Sequence, residues 1–145
     1  MMLDKEIEEL LEEAFCAEYE ILQENFPIYR GGLKTSVWGY RRAKMTTERI
    51  CAETGYNLYP TAWEHIAYYE GKDGFPCALV IDEENRMVLV GGSGMAKLNP
   101  AVVEILFKDD CVEMTAWAKE GLIKQKTAQK ALSACVRVLG LTLRE

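Results

Sequence analysis

Two short runs without a single charged residue, Cys77-Ala78-Leu79-Val80-Ile81 and Met87-Val88-Leu89-Val90, flank a polar loop from Asp82 to Arg86. They constrain the fold of this chain more than any other feature. Apolar runs of this length, joined by a short polar stretch, read as a β-hairpin. A strand with one wet face alternates apolar and polar residues, and neither run does, so both faces of the hairpin have to be covered. Two strands alone are marginal in water, so others must join them. Leu141 to Leu143 and the region around Val37 are the candidates.

The cover is expected to come from helices. From Leu3 to about Asn25, Ile7, Leu10, Leu11, Ala14, Phe15, Ile21 and Leu22 recur at three and four residues, with Asp4 as N-cap and Pro27 and Gly31-Gly32 beyond the end. A second helix is expected from Thr35 or Ser36 to about Thr54, stopped by Gly55, although Val37-Trp38 reads equally as strand. Thr61 to Glu64 reads as a capping box for a short helix ending at Glu70. Asn99-Pro100 pairs a cap residue with proline at the first helical position, which predicts a helix with Val103, Leu106 and Phe107 inward. That helix breaks at Asp109-Asp110, and a second piece carries Met114, Trp117 and Ala118 to Gly121. A last helix from about Lys124 to Leu139 buries Ala128, Leu132, Cys135 and Val138 and stops at Gly140. The expected fold class is therefore α+β, a small sheet of three to five strands built on the buried hairpin (77–81 and 87–90) and covered by about five helices. At 145 residues, one core in a single domain spanning 1–145 is expected.

Charge is distributed in blocks. Residues 1–24 hold nine acidic residues and one basic, whereas 28–50 hold six basic and one acidic, inside a chain of net charge −6. Opposite blocks next to each other in sequence predict that the acidic helix meets the basic segment, within one chain or between two. The basic residues Arg30, Lys34, Arg41, Arg42 and Lys44 stand among Trp38 and Tyr40, a composition also found on nucleic-acid surfaces. The net negative charge argues against a polyanion, because such affinity rests on neutralising phosphates. A helix-turn-helix over Thr47 to Tyr56 fails because Pro60 and Thr61 delay the second helix. These residues are therefore assigned to a protein partner or a second copy.

The glycine run offers a ligand-binding alternative. Gly91-Gly92-Ser93-Gly94, followed by Lys97, falls between a strand and an expected helix, where free backbone amides and a helix N-terminus attract phosphate. Neither the phosphate-loop pattern nor the dinucleotide fingerprint is present, and glycine clusters more often mark plain connections. His65 is the only histidine, so any nucleophilic pair with a cysteine or serine must use it, while a lone histidine among aromatics is more often a partly buried helix residue. Asp109-Asp110 lacks the further oxygen ligands a hard cation needs, so no metal is expected. No cofactor is expected either.

Five scattered cysteines without a C-x-x-C pair, and an acidic N-terminus with no long apolar run, fit a soluble cytoplasmic protein without a membrane span. The functional expectation is a non-enzymatic binding or regulatory protein acting through protein contacts, with homo-oligomerisation open. A sensor of phosphate-bearing small molecules is second, and a small enzyme using His65 is third.

Overall fold

The hairpin forms where the sequence places it. In the computed structural model, which describes residue 2 and residues 4–25, 33–69, 77–93, 99–120 and 126–141, strand β2 (Cys77–Glu83) pairs antiparallel with β3 (Arg86–Ser93). Asn85 makes the turn at φ 63, a left-handed conformation that asparagine tolerates. Three further strands, β1 (Lys44–Glu53), β4 (Asn99–Phe107) and β5 (Cys111–Glu120), complete a five-stranded antiparallel sheet in the order β1-β5-β4-β3-β2.

Both faces of the sheet are covered, which is why the hairpin runs do not alternate. On one face Met87, Leu89, Val103, Ile105, Val112 and Met114 pack against Ala62 and Ile66 of α3 (Tyr59–Tyr69) and Leu132, Val138 and Leu139 of α4 (Thr127–Leu139). On the other, Val88, Val102 and Trp117 pack against Ile7, Leu11, Phe15 and Tyr19 of α1 (Asp4–Asn25) and Tyr40 of α2 (Leu33–Arg42). Consecutive residues Met87, Val88 and Leu89 thus enter opposite cores, as the two-residue period of a strand requires. In β2 a register shift between Leu79 and Ile81 sets Leu79 opposite Leu89 and Ile81 opposite Val88. That bulge moves Ile81 to the α1 face and leaves Val80 exposed.

The expected cover of about five helices is wrong. The described residues contain four helices, and the fold is dominated by its sheet, α+β in the broad sense. The regions read as helices from Asn99 and from Asp110 are β4 and β5. Val103 and Phe107, which suggested a helical stripe, lie with Ala101 and Ile105 on the α4 face, while Val102 enters the α1 core. A central strand buried on both sides is continuously apolar, and such a run mimics a buried helix segment. Asp109-Asp110 belongs to the turn joining them, where the Asp110 carbonyl accepts the N–H groups of Thr54 and Gly55 at 2.8 and 3.0 Å.

The expected helix to Thr54 is likewise two elements, α2 and then β1. Gly55 has the left-handed φ of 75 expected of a stop, yet it closes a strand. Val37-Trp38 lies in α2 and Leu141 directly follows the α4 cap, so neither extends the sheet, while residues 142 and 143 lie outside the described residues. Helix α3 starts at Tyr59, ahead of the anticipated Thr61. The Asn57 side-chain oxygen accepts the Tyr59 N–H at 2.9 Å, and Thr61 donates its hydroxyl back to the Leu58 carbonyl. The Gly140 stop forms as expected, at φ 65 with the Leu141 N–H bonded to the Val136 carbonyl at 3.0 Å.

Candidate functional site

The acidic and basic blocks meet at the corner where α1, α2 and β5 converge. Phe15 of α1 and Tyr40 of α2 stack with ring centroids 4.3 Å apart and planes within 8° of parallel. Arg41, the next residue, donates from Nε to Glu12 Oε1 at 3.0 Å and from a terminal nitrogen to the same oxygen. That bond holds the Glu12 carboxyl below the ordinary carboxylate range and raises the already high pKa of the guanidinium. Lys119 rises from β5 beneath them, almost fully buried. Its ammonium donates to the Arg41 carbonyl at 3.0 Å, lies 3.5 Å from Glu8 and sits 5.6 Å from the centroid of the Tyr40 ring. A cation at the last carbonyls of α2 complements the helix dipole. The Tyr40 hydroxyl is buried without a hydrogen-bond partner among the described residues, and burial, then the charges of Cys16, Glu12 and Glu8, push its pKa well above the ordinary tyrosine value.

Outside this corner the same segment faces solvent. Trp38 is 59% exposed, the Arg42 guanidinium carbon stands 4.2 Å from its ring centroid, and Arg42 and Lys44 are exposed. On α2 the basic segment therefore divides in two: Tyr40 and Arg41 fasten α2 to α1, whereas Trp38 and Arg42 form an open aromatic and cationic pair; Lys44 stands apart, opposite Glu120 at the start of β1, where its neighbour Met45 takes the α1 side of the sheet. Lys34 falls in α2, and Arg30 lies outside the described residues.

The glycine run is placed differently from its premise. Gly91, Gly92 and Ser93 are strand residues of β3 paired with Ala101, Pro100 and Asn99, and the element that follows is β4, so no helix N-terminus stands behind them. Gly94 and Lys97 lie outside the described residues. His65 is an exposed residue of α3 with no hydrogen bond or ion pair among the described residues. Among the described residues no group of three or more His, Cys, Asp or Glu side chains could hold a metal, and no helix is long and apolar enough to cross a membrane.

Sequence reasoning missed a polar row on the α1 face of the sheet. Arg86 donates to the buried carboxylate of Glu104 at 2.9 Å and to Glu83 at 3.0 Å, and Arg49 reaches the Thr115 hydroxyl at 3.3 Å. Glu104 and Thr115 are direct neighbours across β4 and β5. The signal in the sequence was one charged residue inside the apolar run of 101–107, which a helix reading turns towards solvent. Lys119 was missed for the same reason.

Comparison with protein-family models, with curated proteins and with solved structures finds no match to this chain.

Proposed function

We propose that this protein is a non-enzymatic binding protein acting through protein contacts, with the exposed Trp38 and the Arg42 guanidinium above it at the centre of its contact surface. The observation that carries this reading is the exposure of that pair. A tryptophan hides about 150–250 Å² of surface when covered, so leaving it in water forgoes a large apolar gain. Tryptophan and arginine are also the side chains that most often carry binding energy at protein interfaces. Arg42, in no ion pair among the described residues, makes the pair positive in a chain of net charge −6, so an acidic protein segment is its complement.

A photo-crosslinking residue at position 38, introduced in living cells and mapped by mass spectrometry, tests the reading. Covalent products that map to one acidic segment, and that disappear when Arg42→Glu is added, support it. Products scattered over unrelated proteins, or none, contradict it.

A further inference from the structure

The outer face of α1 carries Glu6, Glu9, Glu13 and Glu20, all exposed and in no ion pair among the described residues. Their spacing sets them on one side of the helix, opposite Ile7, Leu11 and Phe15, which face the sheet. No described side chain of helix α2 is paired with them. That helix engages the flank of α1 through Glu12, while Glu8 faces Lys119. Among the described residues two surfaces of opposite sign therefore remain without an ion pair: the acidic stripe of α1, and the Trp38–Arg42 pair of α2.

We infer that the protein is a homodimer in which the acidic stripe on α1 of each copy meets the Trp38–Arg42 pair of the other. This rests on the contact surface proposed above and names its occupant. A two-fold dimer requires one self-complementary patch, in which each half of the patch meets the opposite half of its partner. Helices α1 and α2 lie side by side on one face of the sheet, joined by the Phe15–Tyr40 stack and the Arg41–Glu12 bond, so their free surfaces are adjacent parts of one such patch. Four like charges along one helix face repel each other, and a cationic partner relieves that repulsion. Trp38 supplies the apolar anchor that exposed ion pairs lack, since such pairs alone contribute little.

Light scattering on the whole chain, from micromolar to near-millimolar concentration at low salt, tests the inference. The wild-type protein is expected to be dimeric and to dissociate as salt is raised. Arg42→Glu, and separately Glu9→Lys with Glu13→Lys, are each expected to weaken the dimer at least about tenfold, because each sets like charges together at both symmetric contacts. An equimolar mixture of the two variants is expected to dimerise again, since each reversed surface then finds its opposite. These positions are exposed, and circular dichroism confirms that the variants fold. A chain that stays monomeric throughout, variants that dimerise like wild type, or folded variants whose mixture does not recover would each overturn the second-copy inference. A monomeric chain whose residue 38 still crosslinks to an acidic segment of another protein would leave the contact surface standing and remove only this occupant.

Discussion

Replacing Leu11 by alanine and Glu12 by glutamine separates the two forces that hold α1 on the sheet. Leu11 is 0% exposed and packs in the core of Val88, Val102 and Trp117. Truncating such a leucine loses its transfer free energy and leaves a cavity, costing about 3 kcal/mol within a usual range of about 2–5. For a chain of this size that corresponds to a fall in Tm of roughly 12 °C. The Glu12–Arg41 pair has side chains 31% and 65% exposed. Water and salt screen such a pair, so its removal costs less than about 1 kcal/mol. Urea unfolding followed by far-ultraviolet circular dichroism reads both values, with the denaturant slope unchanged if the native fold is kept. A Glu12→Gln loss equal to or larger than that of Leu11→Ala would refute the reasoning and make charge the force that seats α1.

The stability difference between wild type and Glu12→Gln also depends on pH. The folded-state pKa of Glu12 is lowered, so its contribution is present above the unfolded value of about 4.3 and is lost as pH falls through the folded value; unfolding at acid pH is expected to show the two proteins converging. Tyr40→Phe removes a buried hydroxyl that has no partner among the described residues, so thermal melts are expected to show unchanged or slightly higher stability. Glu104→Ala removes a charged hydrogen bond but leaves the partly exposed Arg86 paired with Glu83, and is expected to cost about 2 kcal/mol in urea unfolding. Gly140→Ala meets no atom within 4 Å, so only its left-handed backbone opposes it, at a cost of about 1 kcal/mol in the same assay.

The parts legible in the sequence were those whose burial is one-sided or whose punctuation is local. Helix α1 shows a clean stripe because only one side of it meets the sheet, and α4 shows both a stripe and its Gly140 stop. The hairpin was legible because Asp82 to Arg86 interrupts two apolar runs. Strands β4 and β5 were not, because covering both faces erases the alternation that marks a strand, and Asn99-Pro100 imitates a helix start. The composition of the central runs held the better signal: Val102, Val103 and Ile105 are β-branched, which favours strands. Strand β1 was hidden for the opposite reason. It lies at the sheet edge with only Ala52 buried, so its apolar residues trace neither period.

The candidate surface was legible as a charge block but not as two surfaces. Sequence alone placed Trp38, Tyr40, Arg41 and Arg42 in one group. The helical turn of α2 sends Tyr40 inward against Phe15 and leaves Trp38 outside, and the end of the helix before Lys44 could not be seen while β1 was read as its continuation. The glycine run lost its helix N-terminus when the following element proved to be a strand.

The central claim is that Trp38 and the Arg42 guanidinium above it form the contact surface, and two-dimensional NMR over a concentration series tests it most directly. Raising the concentration is expected to shift the indole N–H of Trp38 and the backbone amides of Glu9 and Glu13 together, with one dissociation constant, while the buried indole of Trp117 stays in place. Shifts confined to another part of the molecule, such as the β1 edge, or a spectrum that does not change with concentration and does not respond to an acidic peptide, would contradict the claim.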